Sequence, residues 1–405
     1  MKLSRKRILR LREKRDVVFL ITGATGFIGS HTAIELLKRG YRVIMFSRPT
    51  KETSARERIE AMFKWFGLNT DEFGANLEIV EGLLDEPDLG INKETYSYLS
   101  NTVDEIIHCA ANTSFSEKNR RELETVNIEI LDNLSDLITS EKSRCYFFHH
   151  ISTVYVAGKQ KNIFRETISE TPEFNNVYEE TKYHGERFVY EVFPKKGIRV
   201  SIYRSSIVYG DSETGRSSLF NAVYYPVKMA LFLKNTYRND ILKRGGKKAK
   251  QMGVRMDDDG GIFLPIRMEK KIGGAINLIP INYYTNALIT ILEHSADPGI
   301  FHIINSSETT LDDLTNFFSE TFNIRGFRSV SGEELIQEPL NALEIIFNEY
   351  LKMYGPYIRD TRRFDNSRSE KILSGKDIKC PEFDLDVFSR CMNYAISINW
   401  KNPWK

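Results

Sequence analysis

Residues 17–30 read Val17-Val-Phe-Leu-Ile-Thr-Gly-Ala-Thr-Gly-Phe-Ile-Gly-Ser30. The apolar run is too short for a buried helix, is rich in β-branched and aromatic residues, and ends in a threonine and three glycines. That order reads as buried strand, turn and helix. Gly23 lets the chain reverse, Gly26 lets backbone approach a pyrophosphate, and Gly29 lets the following helix lie against the strand. The first free N–H groups of that helix, at the positive end of its dipole, are then placed to receive phosphates. Ile28, Ala33, Ile34, Leu36 and Leu37 give the helix its apolar face. The stretch therefore predicts a dinucleotide site.

Outward from this stretch, strand-like and helical runs alternate. Strands are expected at Val43–Phe46, Leu77–Val80, Glu105–Cys109, Cys145–Ile151 and Ile198–Arg204, with helices near 53–66, 122–139 and 178–193. The alternation predicts an α/β fold, a Rossmann-type doubly wound parallel sheet. After about residue 210 the pattern changes. Residues 212–275 read as mixed helix and a loop rich in Lys, Gly and Asp; Ile276–Ile281 and Phe301–Ile304 read as strands returning to the sheet; 311–322 and 333–353 read as helices. The expected organisation is a basic extension (1–15), an NADP-binding Rossmann domain (16–211) and a smaller, mainly helical substrate-side lobe (212–405).

A chain of 405 residues with 41% hydrophobic and 28% charged residues and a net charge of +2 is ordinary globular protein, and its charge predicts no nucleic-acid partner. Cys109, Cys145, Cys380 and Cys391 show no C-x-x-C spacing, so neither a disulfide framework nor a metal site is expected. No apolar run is long enough to cross a bilayer and no signal-peptide core is present, which points to the cytoplasm. Residues 1–15 carry eight Lys or Arg against one Glu. They read as a solvated extension or as a peripheral contact with anionic lipid or an acidic partner.

The second strand, ending at Ser47-Arg48, has no acidic residue from Tyr41 to Lys51 to grip the ribose hydroxyls of NAD. Arg48 suits the extra phosphate of NADP instead, so NADPH is the expected cofactor. Tyr178-Glu-Glu-Thr-Lys182 places a phenol and an ammonium on one helix face. The ammonium is expected to lower the phenol's pKa, so that Tyr178 exchanges the proton while Lys182 holds the nicotinamide ribose. One strand and loop earlier, His149-His-Ile-Ser-Thr-Val-Tyr-Val-Ala-Gly158 delivers hydroxyls to a strand's carboxyl end. Thr153 is the choice for stabilising charge on the substrate oxygen, with Ser152 and Tyr155 as competitors. His108 reads as a packed, hydrogen-bonded residue, and Asn127 as either a helix-holding or an exposed asparagine.

Thr22-Gly-x-x-Gly-x-x-Gly29, His108-Cys-Ala-Ala111, Ser152-Thr153, Tyr178-x-x-x-Lys182 and Tyr203-Arg-Ser-Ser-Ile-Val-Tyr-Gly210 occur in the order of extended short-chain dehydrogenases/reductases. Ser-Thr-Val-Tyr-Val-Ala-Gly158, Ile207-Val-Tyr-Gly-Asp-Ser-Glu-Thr-Gly215 and Asn277-Leu-Ile-Pro-Ile-Asn282 resemble the thioester reductase and fatty acyl reductase (male-sterility-type) branch. The resemblance covers about residues 17–300. It implies a Thr153-Tyr178-Lys182 site reducing an acyl thioester to an aldehyde and sometimes to the alcohol, as in lipid metabolism. It places cofactor contacts at Gly23, Thr25, Gly26, Phe27, Ile28 and Gly29, and at Arg48, Leu84, Ala110, Ala111, Tyr178, Lys182 and Ile207. The sequence departs from the branch at Gly82-Leu83, where Gly-Asp is usual, which removes a side-chain hydrogen bond to adenine.

Nothing in the sequence reads as an adenylation or carrier segment, so the acyl group is expected to arrive in trans on coenzyme A or an acyl carrier protein. Nine basic residues against one acidic residue between Lys228 and Arg255 would steer such an acidic donor. Phe220, Tyr224, Tyr225, Met229, Phe232 and Leu233 read as an acyl channel or as plain core. Reduction of a ketone or oxidation of a secondary alcohol, and sugar-nucleotide epimerisation or dehydration, are the alternative activities.

Overall fold

The computed structural model describes residues 16–170 and 173–404; the basic run at 1–15 lies outside them. Twelve strands are formed: β1 Val18–Thr22, β2 Arg42–Ser47, β3 Leu77–Glu81, β4 Glu105–His108, β5 Phe147–Thr153, β6 Arg199–Ser205, β7 Ile207–Tyr209, β8 Arg255–Met256, β9 Ile262–Glu269, β10 Leu278–Pro280, β11 Ile300–Ile303 and β12 Ile324–Val330. Seven build one sheet in the order β11-β6-β5-β4-β1-β2-β3, and every pairing in it is parallel. Both faces are covered by helices, so the strands are largely buried; β1 is buried at all five positions. The winding reverses between β1 and β4, which opens a crevice above their carboxyl ends.

The expected strands of the first half are present to within two residues at either end. In the second half, β11 returns to the sheet beside β6, as read from Phe301–Ile304. The run Ile276–Ile281 does not: β10 pairs only with β7 in a separate two-stranded ladder, and the chain enters the helix Ile281–His294 at once. A three-stranded sheet, β12-β9-β8, has no counterpart in the sequence reading. Its concealment is physical. Pro265 interrupts β9 and would argue against a strand, yet it sits where the register with β12 slips between Arg325 and Phe327. Gly326, at φ +90°, forms that bulge, and a Cβ there would stand 2.4 Å from the Leu264 carbonyl oxygen.

Under this small sheet lies a second core in which Phe318, Phe327, Phe347 and Phe388 interlock. Tyr224, Met229 and Leu233 belong to it, Phe232 is exposed, and Tyr225 stacks on Tyr350 at 4.4 Å. The aromatic stripe is thus core and surface, not a channel. The expected helix 122–139 is broken by a π-helical turn at Thr125–Glu129. Among the described residues, no helix is long and apolar enough to cross a membrane.

Candidate active site

β1 ends at Thr22, whose Oγ1 lies 2.8 Å from His108 Nδ1 on the neighbouring β4. Gly23 then turns the chain at φ +65°, and a Cβ on Gly29 would stand 2.2 Å from the Gly23 carbonyl oxygen. Side chains are therefore excluded at both ends of the turn, and the helix Phe27–Lys38 packs directly on the strand that feeds it. Ala110 is the backbone against which Gly23 rests, 2.6 Å from a Cβ there.

A cavity of about 320 Å³ opens above this turn. Its wall includes Thr25, Gly26, Phe27, Ile28, Gly29 and Ala111 at one end and Thr153, Tyr178, Lys182 and Ile207 at the other. Arg48 and Leu84 are outside this wall. Arg48 is exposed at the end of β2, and the Leu84 carbonyl accepts from Asn133 at 2.8 Å. Between Arg48 and the turn lies a side chain that the sequence reading did not assign. Arg58 is 9% exposed, donates at 2.8 Å to Thr25 Oγ1 and 3.3 Å to Ser47 Oγ, and bonds the Arg48 carbonyl. Lost solvation, and then the neighbouring Arg48 charge, push its pKa down. The signal was available in the helix after β2, since Arg58 faces inward beside Ile59 and Met62.

β5 carries Thr153 to the cavity, and the helix Val177–Val192 carries Tyr178 and Lys182. The helix starts on Asn176, whose side chain accepts from the Glu179 N–H at 3.1 Å. Tyr178 and Thr153 line the same cavity. Thr153 also donates to the Ser205 carbonyl at 3.1 Å and accepts from the Tyr155 N–H at 3.3 Å. Ser152 is committed elsewhere, donating to Glu186 at 2.7 Å. Of the competing hydroxyls, Tyr155 is buried and loss of solvation pushes its pKa far up.

Lys182 is buried beneath the site. Its Nζ donates to the Ile151 carbonyl at 2.7 Å, and burial lowers its pKa to about 8, against a raising contribution from Glu186. The Tyr178 phenol is pushed up, first by loss of solvation and then by the Glu179 charge, with the Thr153 hydroxyl opposing this. The ammonium is thus held as a fixed charge beneath the site, and activation of the phenol needs more than its helical neighbour.

Asn127, on the π-helical turn, is buried. It clasps Asn112 through N–H and C=O (2.9 and 3.0 Å) and donates to Thr181 at 2.9 Å, tying the loop after β4 to the catalytic helix. Opposite it, a Cβ on Gly185 would lie 2.4 Å from the Asn127 carbonyl oxygen. His108 is a packed residue as read: burial lowers its pKa to about 3, and its ring stacks on His150 at 5.6 Å. Cys109 is pushed up to about 12 by burial. No metal-binding cluster occurs among the described residues.

The residues fit a dinucleotide. Besides the glycine cradle, Ser206 and Ser218 line this cavity, and their buried hydroxyls have no hydrogen-bond partner. The fold and this site define an NAD-binding oxidoreductase of the extended short-chain type. More particularly, residues 21–254 match the male sterility protein model, and the chain belongs to that family. It is 22% identical over 392 residues to a linear gramicidin synthase polypeptide of Brevibacillus parabrevis (93% of this chain, 7% of that one). It is 26% identical over 302 residues to the L-2-aminoadipate reductase large subunit of Penicillium chrysogenum (70% and 19%). The chain thus spans less than a fifth of the length of these curated relatives. Among solved structures it resembles the terminal R domain of the myxalamid PKS-NRPS pathway, at 19% identity and a TM-score of 0.71, covering 95% of this chain and 91% of that one. A thiolation-reductase di-domain from an archaeal non-ribosomal peptide synthetase gives 0.67 at 19% identity, covering 95% and 76%.

Proposed function

We propose that this chain is an NADPH-dependent reductase of an acyl thioester carried on coenzyme A or an acyl carrier protein, releasing an aldehyde and the free thiol. The observation that carries the reading is the convergence of the Thr153 and Tyr178 hydroxyls in a cavity with a phosphate-binding turn at one end and an apolar slot at the other. The slot, about 30 Å³, shares Ile207, Ala222, Tyr354 and Tyr357 with the main cavity and continues between Leu314, Phe318 and Ile358. Its apolar walls suit the end of an acyl group and offer little to a sugar nucleotide. Several relatives carry reductase in their names, and one solved neighbour joins reductase to thiolation, which supports a carrier-borne thioester.

The glycine turn, Tyr178 and Lys182 would hold the reduced dinucleotide, which when bound would supply hydride to the thioester carbonyl. Thr153 and Tyr178 would receive the charge that develops on the carbonyl oxygen, Thr153 turning its hydroxyl proton from the Ser205 carbonyl toward it. Lys182 holds the ribose and keeps a positive charge under the phenol. The collapsing adduct expels the thiolate, which takes a proton, so one thioester, one NADPH and one proton give aldehyde, thiol and NADP⁺.

NADPH over NADH is supported by the two guanidiniums, Arg48 and Arg58, at the end of β2, where an acidic residue would mark NADH. The donor is supported by the exposed cations of residues 228–255, among which Phe232 and Leu242 are also exposed. The test follows NADPH oxidation and thiol release together on acyl-CoA and acyl-carrier substrates. Equal rates of both are expected. NADPH oxidation on ketones without thiol release, or no oxidation on any thioester, overturns the reading; alcohol in the product would add a second hydride transfer.

A further inference from the structure

Beyond the helix Leu385–Ser397 the chain makes an uncommon move. Asn399 and Trp400 both take left-handed backbone at φ +58°, a conformation non-glycine residues adopt only where their surroundings hold them. Trp400 is held against Phe220 and Tyr224, and the chain is sent back across the whole molecule to the glycine turn. There the Trp404 indole N–H donates at 3.2 Å to the Thr25 carbonyl, while its ring packs at 4.9 Å on Trp65. Two residues earlier, Asn402 is used at both ends: Nδ2 donates to the Ser218 carbonyl at 3.0 Å, and Oδ1 accepts from the Trp404 N–H at 3.0 Å.

Three consecutive residues, at most ~10 Å of chain, therefore bridge the phosphate-binding turn and the Ser217–Leu219 loop. Both bridged pieces line the same cavity. Thr25 is thus gripped twice, on its hydroxyl by Arg58 and on its carbonyl by Trp404. A carbonyl oxygen at the rim of an anion site repels phosphate, and an indole N–H on that oxygen cancels the repulsion and holds the turn. Ser218 is 4% exposed and lines the cavity that the turn serves, and its buried hydroxyl has no partner in the protein. A buried hydroxyl without a partner is costly unless a ligand satisfies it.

We propose that residues 399–404 form a strap that completes the dinucleotide site, with Trp404 as a positioning residue for the glycine turn and Asn402 setting the Ser217–Leu219 loop so that the Ser218 hydroxyl donates to the cofactor's pyrophosphate. The inference rests on the cavity being a dinucleotide site. It adds a ligand from beyond residue 210 that no glycine motif contains.

The test is equilibrium binding of NADPH by calorimetry, with no acyl substrate present. Ser218→Ala is expected to raise Kd on the order of 10-fold, the loss of one charge-assisted hydrogen bond, and Ser218→Thr to restore it. The same loss is expected for 2′-phospho-ADP-ribose and none for adenosine 2′-phosphate, which lacks the pyrophosphate. Trp404→Phe removes the N–H together with part of the packed ring, so a roughly 5-fold weaker Kd is expected, and Trp65→Phe, which thins the same ring contact but keeps the Trp404 N–H, is expected to leave Kd unchanged. Should Trp404→Phe fail to fold, Ser218→Ala alone decides. An unchanged Kd in Ser218→Ala overturns the strap while leaving the dinucleotide site standing. Wild-type protein that binds neither NADPH nor NADH overturns both.

Discussion

The seven-stranded sheet and the small sheet β12-β9-β8 obey the same rules of pairing, but only the first announces itself. In the large sheet, the strands are mostly buried and rich in apolar residues, and each crossover up to β6 runs through helices of ordinary length. In the small one, β9 contains a proline, β12 carries two arginines around its bulge (Arg325-Gly326-Phe327-Arg328), and β8 is two residues long. One region encodes its shape locally. The other owes its shape to the partner it meets, and that half supplies the apolar slot and the strap.

If catalysis resides in the first region, its hydroxyl is the most sensitive point. Tyr178→Phe should lower kcat by roughly 10²–10⁴, the range for a lost general acid, with the Kd for NADPH within about twofold. Stopped-flow NADPH oxidation with parallel calorimetry would show it. A mutant near wild-type rate would break the assignment of chemistry to that region.

The same region should also be the more brittle. Arg204 and Glu186 form a buried ion pair at 3.0 Å, and Glu186 further accepts from Ser152. Glu186→Ala leaves the guanidinium uncompensated and should cost about 3–5 kcal/mol in chemical denaturation. The exposed pair Lys352–Glu349 in the second region should cost no more than about 1 kcal/mol when broken.

Selectivity separates the halves further. Arg48→Ala should weaken NADPH by roughly 10-fold or more and leave NADH nearly unchanged, whereas Ile358→Trp, which fills the slot, should lower kcat/KM on longer acyl groups and spare acetyl. Either variant acting on both substrates alike would blur the division. The mildest effect is on pH. Lys182 has a pKa near 8, lowered by burial from about 10.5, so its ammonium is present below pH 8 and lost above it. Reduction should fade up to about tenfold per unit beyond pH 8, while this residue's contribution to fold stability rises from pH 8 to 10.5 as the buried charge is shed.

Most of the sheet and the grouping of Thr153, Tyr178 and Lys182 in one cavity were legible because strand periodicity, glycine spacing and the i, i+4 helix pair are local patterns. Three things were not. Lys182 bonds the Ile151 carbonyl, a contact 31 residues away that helix spacing does not report. The π-helical turn at Asn127 carries no periodicity of its own. Arg58 and Trp404 reach Thr25 from 33 and 379 residues away, and neither belongs to a pattern around the glycines.

The close approach at Gly185 has a further meaning. Because a single hydrogen atom separates the catalytic helix from the Asn127 carbonyl, the height of the lysine over its strand is gauged at that one point. An alanine there would act as a shim, tilting the helix and lifting ammonium and phenol together, so the site would lose its alignment with every reacting group still present.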